Sequence, residues 1–135
     1  MKKPITPTIH GILDYALAGV QMLAPGMLGL NKKVVKSYLD LGSGILGVNA
    51  LSNTPVGLKR VISMRDHQKS DAAFLTTLTL LTFTKFIEKD QKALGFHFVV
   101  LGLSFANYFL TDYSDQQLPL SPSPQVAATD LAYPY

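Results

Sequence analysis

Four long apolar stretches separated by short charged ones organise the chain. Residues 11–30 carry one charge, Asp14, and residues 37–53 carry one, Asp40. Residues 71–87 open on Asp71 and hold Lys85 near their end, while residues 93–111 have no formal charge. Each stretch is long enough for a helix, and at ~1.5 Å per residue the 20 residues of 11–30 would reach about 30 Å, the thickness of a bilayer's hydrocarbon core. A helix at the surface of a soluble bundle shows one apolar stripe and a charged opposite face. In 93–111, Phe96, Phe98, Val99, Val100, Leu101, Leu103 and Phe105 instead point all round the axis. In 71–87, Thr76, Thr77, Thr79, Thr82 and Thr84 are spread in the same way, and threonine is tolerated in lipid because its hydroxyl bonds back to the preceding turn. The period-two alternation of Thr77–Leu80 is a strand signal, but length and the parallel with 11–30 favour a helix.

The pattern predicts an all-α fold, a four-helix transmembrane bundle; a soluble helical bundle is the alternative. The N-terminal run is expected to be a retained first span and not a secretory signal, because Asp14 interrupts it and Pro25 follows Ala24 where cleavage would fall. Pro4 and Pro7 give an extended lead-in with Thr8 as the expected helix N-cap, and Pro25 with Gly26 and Gly29 should end the first helix. The membrane domain is expected over 1–113, as hairpins 8–54 and 65–112 joined by a basic linker at 55–64. Residues 114–135, with four prolines and little apolar surface, read as a disordered tail.

Composition sharpens this picture. With 135 residues the chain has room for one domain, and with no Cys it has no disulfide framework, thiolate metal site or cysteine nucleophile. All 12 basic residues precede residue 93, and most charges crowd into the gaps between the four stretches. Lys2, Lys3, Lys59, Arg60 and Arg65 flank one face of the predicted bundle and Lys32, Lys33, Lys36, Lys89 and Lys92 the other, so the positive-inside rule sets no orientation.

The two halves resemble each other. His10-x-x-x-Asp14 reappears as His67-x-x-x-Asp71 at a shift of 57, and Gly44 and Asn49 align with Gly102 and Asn107 at a shift of 58. Halves separated by two spans share one topology, so the expectation is a parallel repeat with both termini on the same side.

Ionisable groups inside apolar stretches are costly and are candidates for function. The candidate polar cluster is His10, Asp14, Asp40, His67, Asp71 and His97. The i, i+4 spacing puts each His–Asp couple on one helix face. Convergence of the couples would suit a metal, a haem or a proton path, but their position at the start of each span favours interfacial hydrogen bonds at the helix ends. No metal site and no cofactor is expected, and no catalytic residue. Asp40 is expected to pair with Lys36. Gly42, Gly44 and Gly47, opposite Gly102 and Ala106, suggest that the second and fourth spans pack closely, with Asn49 and Asn107 as interhelical hydrogen-bonding groups.

The string Ala24-Pro25-Gly26-Met27-Leu28-Gly29-Leu30 resembles the Ser-Pro-Trp-x-x-Gly-Phe ending of the SPW-repeat family, small bacterial membrane proteins with paired spans. Ala24 and Gly26 replace the family's Ser and Trp, and Thr82 stands where a second copy would repeat Pro25. The size and span count are also similar to DoxX-like four-span proteins. The resemblance implies a bacterial inner-membrane protein without an assigned reaction. The expected function is therefore a small integral membrane protein acting as a structural, accessory or partner-binding unit. Its partners would be the lipid bilayer and another membrane protein or a second copy, not nucleic acid. A small transporter, channel subunit or redox protein using the intramembrane His and Asp residues is the alternative.

Overall fold

The computed structural model describes residues 3–114, which fold as helices α1 (Pro7–Met27), α2 (Lys32–Leu51), α3 (Met64–Leu81), α4 (Lys85–Glu88) and α5 (Gln91–Leu110). Lys2 and the tail expected to be disordered, apart from Ser114, lie outside the described residues. Among the described residues there is no sheet, only two isolated bridges.

Local chemistry sets the helix ends. Thr6, not Thr8, caps α1, its hydroxyl accepting from the Ile9 amide at 3.3 Å, because Pro7 takes the first helical position where its missing N–H costs nothing. Asn31, Ser63 and Asp90 cap α2, α3 and α5 in the same way. Helix α1 runs through Pro25 and ends two residues later. There Gly29, at φ 66°, lets the Leu30 amide reach the Pro25 carbonyl (3.0 Å) and its own amide reach that of Gly26 (3.1 Å). Helix α3 stops at Leu81, short of the 87 expected, and residues 82–90 form a turn that carries α4. That turn places Ile87, fully buried, across one end of the bundle.

The four long helices run alternately up and down. Helix α1 packs against α2 and α5, and α3 packs against the same two, so α1 faces α3 across the centre and α2 faces α5. The expected close packing of α2 on α5 is not what the glycines serve. Gly42 abuts α1: a Cβ there would meet the Ala18 carbonyl oxygen at 2.9 Å and Met22 Cγ at 2.7 Å. Gly44 meets the Phe74 ring of α3, whereas Gly47 and Gly102 face open space. The short four-residue turn ties α2 to α1, so Gly42 is spent on that interface. Gly42→Ala should destabilise the fold by about 1–3 kcal/mol through overpacking against backbone, read as a lowered thermal midpoint in detergent, while Gly102→Ala should have no such effect.

The interior divides along the bundle axis. At the end closed by α4, Leu30, Val34, Tyr38, Leu78, Ile87, Ala93 and Val100 form an apolar core. At the other end, where both described termini and the α2–α3 loop meet, the buried groups are polar: His10, Asp14, Asn49, Ser52, His67, Asn107 and Thr111. Outside, 20 large apolar side chains of the described residues are exposed, against 11 buried apolar residues and 11 buried polar ones. Helix α5 is long and apolar enough to cross a membrane.

Candidate functional site

The polar end is built symmetrically. Ile5, ahead of α1, donates to the Leu110 carbonyl (3.1 Å) and accepts from Asp112 (2.9 Å), pinning the start of α1 to the end of α5. Ile62, ahead of α3, makes the same two bonds with Leu51 (2.9 Å) and Asn53 (2.8 Å), pinning the start of α3 to the end of α2. The first turns of α1 and α3 are thereby held opposite each other, and their inward faces carry His10 with Asp14 and His67 with Asp71.

The two couples meet. His10 Nε2 lies 2.9 Å from His67 Nε2, 3.2 Å from Asp14 Oδ2 and 3.0 Å from Asp71 Oδ2. His67 Nε2 lies 3.2 Å from Asp14 Oδ2 and 3.3 Å from Asp71 Oδ2. All four atoms lie within 4.8 Å of one another. His10, His67 and Asp14 are buried, and Asp71 nearly so. The N-caps supply the interfacial hydrogen bonds that the sequence pattern assigned to these couples, through Thr6 and Ser63, one turn earlier. The histidines and aspartates are left to point at each other.

Each of the four has an outer partner. The Ser52 hydroxyl donates to the Val48 carbonyl (2.6 Å) and lies 2.5 Å from His67 Nδ1. The Thr111 hydroxyl donates to the Asn107 carbonyl (2.5 Å) and lies 2.9 Å from His10 Nδ1. A hydroxyl has one hydrogen, here committed to a carbonyl that can only accept, so it accepts from the imidazole. This network assigns the proton to Nδ1 of both rings, and the two Nε2 atoms aim inward. Asn107 Nδ2 donates to Asp14 Oδ1 (2.8 Å), and the Tyr113 hydroxyl donates to Asp71 Oδ2 (2.8 Å). Burial and the adjacent Asp71 carboxylate push the Tyr113 phenol well above its ordinary range, so it stays a donor. Among the described residues no Lys or Arg forms an ion pair with Asp14 or Asp71; Lys36–Asp40 and Lys69–Asp66 are ion pairs at the surface.

The remaining members of the expected cluster sit elsewhere. Asp40 is exposed and pairs with Lys36 at 2.7 Å, one turn away on α2. His97 is buried near the opposite end, between the Tyr38 hydroxyl on Nδ1 (2.6 Å) and the Thr82 hydroxyl on Nε2 (2.8 Å). Asn49 Nδ2 donates to the Gly11 carbonyl (2.7 Å), linking α2 to α1, whereas Asn107 belongs to the site. Ser52, Thr111 and Tyr113 are the site residues that sequence reasoning missed. The repeat could have found the first two, since a hydroxyl closes the second long helix of each half at a shift of 59.

Compared with known protein families, curated proteins and solved structures, the chain gives no match.

Proposed function

We propose that the chain is a small integral membrane protein, its four long helices crossing the bilayer with both termini on one side, and that its working part is a buried cation centre formed by His10, Asp14, His67 and Asp71. The observation that carries this reading is the inverted polarity of the bundle. Large apolar side chains such as Leu23, Leu80, Phe98, Val99 and Leu103 face outward, while imidazoles, carboxylates and amides fill half the interior. In water such a surface would drive aggregation; in hydrocarbon it is the solvated state. The exposed hydroxyls of Thr76 and Thr77 bond back to the carbonyls of Ala72 (2.7 Å) and Ala73 (2.9 Å), so neither of these two presents an unpaired donor outward. The charged first turns of α2 and α3 fit the head-group region, where long cationic side chains reach outward.

The matched hydrogen bonds of Ile5 and Ile62 support the internal duplication, and the resemblance to SPW-repeat and DoxX-like proteins would put the chain in the bacterial inner membrane. Among the described residues no Lys or Arg pairs with the buried carboxylates of Asp14 and Asp71, so they require compensating positive charge from protons on the imidazoles or from a bound ion. The role that follows is that of an accessory membrane protein that holds and exchanges this charge near one membrane face, not that of an enzyme. Membranes from expressing cells, washed with alkaline carbonate and sedimented, should keep the protein in the pellet, with detergent needed to release it. Release into the carbonate supernatant would overturn the membrane reading.

A further inference from the structure

Resting on the cation centre just described, we infer that its charge is one divalent first-row transition-metal ion, bound by His10 Nε2, His67 Nε2, Asp14 Oδ2 and Asp71 Oδ2. Four lone-pair-bearing atoms converge, and every distance from an imidazole nitrogen to the other three lies between 2.9 and 3.3 Å. Ligands about 2.0–2.2 Å from a common ion sit roughly 3.0–3.5 Å apart at neighbouring positions, close to the five distances that involve a nitrogen, and all four atoms lie within 4.8 Å of one another. Protons fill the same space poorly. Compensating both carboxylates takes two imidazolium ions, which would direct two N–H groups and two positive charges into a gap of 2.9 Å. A single shared proton would leave one carboxylate charge uncompensated inside the bundle. One divalent ion neutralises both carboxylates and satisfies both nitrogens.

The donor set narrows the ion. Two imidazoles disfavour calcium and magnesium, which take oxygen, and the chain has no thiolate to select copper(I). Zinc, iron(II), manganese(II), cobalt(II), nickel(II) and copper(II) remain. The outer contacts are those a metal site needs: each imidazole gives its other N–H to a hydroxyl, and each carboxylate is fixed by a second donor, Asn107 or Tyr113. The cradle is rigid because the ligands come from helices α1 and α3 and their supports from the ends of α2 and α5 and the residues just beyond. A cavity of about 30 Å³ adjoins His10, Asp14, Asp71 and Asn107, room for a water to complete the coordination shell.

The test uses the full-length, untagged protein extracted in detergent. Elemental mass spectrometry should find one transition-metal ion per chain. After chelation, one equivalent of cobalt(II) should return, with visible d–d bands shaped by nitrogen and oxygen ligands. Bound zinc or cobalt should raise the thermal midpoint by about 10 °C at a hundredfold excess over the dissociation constant. His10→Gln with His67→Gln should abolish uptake. Ser52→Ala and Thr111→Val keep all four ligands, and each should weaken cobalt binding about 10–100-fold, an effect that a merely structural polar cluster would not produce. Folded protein that carries no stoichiometric metal and takes up neither cobalt nor zinc overturns the inference; the centre then holds protons and the membrane reading stands. Protein that binds cobalt yet washes off with carbonate retains the metal site and loses the membrane reading.

Discussion

Val99→Arg is expected to remove most of the protein from the membrane fraction. Val99 is 61% exposed, mid-way along α5, and Leu103 and Phe98 beside it are 53% exposed. If that face meets water, an arginine there is an ordinary surface substitution, within about ±0.5 kcal/mol. If it meets acyl chains, a cation at the centre of a span costs roughly 2.5–3.5 kcal/mol in insertion, and Val99→Arg combined with Leu103→Arg costs more than either alone. Half-life and carbonate-resistant yield in cells read the difference directly. Val61→Arg, on an apolar residue 55% exposed in the loop ahead of α3, serves as the control and should be tolerated. Equal tolerance of Val99→Arg and Val61→Arg would mean that no lipid covers α5.

The second large effect is expected from Asp14→Ala. Asp14 touches both imidazoles and accepts the Asn107 amide, so its loss unbalances the charge of the centre and orphans a buried donor. Removing one partner of a buried ionic group costs about 3–5 kcal/mol, enough to unfold a small bundle at moderate temperature. Replacing the whole set with apolar residues (His10→Leu, Asp14→Leu, His67→Leu and Asp71→Leu together) leaves no stranded charge and should be less damaging than the single change. Circular dichroism melts of the two variants in detergent compare these costs. A quadruple variant that is stable but inert would show that the cluster is kept for what it binds, whereas one that melts far below Asp14→Ala would show that the four groups chiefly hold the helices together.

How far each feature could be read in advance depends on how local it is. The helices follow from runs of apolar residues bounded by capping side chains, which mark α1, α2 and α5 to within a few residues; the α1 cap falls on Thr6 and not on Thr8 because Pro7 between them takes the first helical position. Helix α3 ends before its apolar run does, because the chain turns at 82–84 so that α4 can insert Ile87. Asp40 and Lys36 pair one turn apart, so that bond was readable from spacing alone. His97 lies in an apolar stretch of sequence with no formal charge, as the other histidines border theirs, yet its depth along α5 puts it near the opposite end, with Tyr38 and Thr82. The glycines showed that a helix would be approached closely, not by which neighbour; the short α1–α2 turn decided that Gly42 meets α1.

The sequence by itself determined that the chain is helical, that its long helices carry extended apolar runs, and that each half presents a His and an Asp on one helix face. These are properties of neighbouring residues, carried by the periodicity of a single helix. Only the tertiary structure decided that those two faces meet across the bundle axis, that Ser52 and Thr111 turn the imidazoles inward and that Asn107 and Tyr113 fix the carboxylates. Those contacts join residues up to 101 positions apart, and they depend on which helices lie side by side and on the backbone bonds of Ile5 and Ile62 that set helix against helix in depth. Packing and register are properties of the assembled bundle, which no single helix specifies.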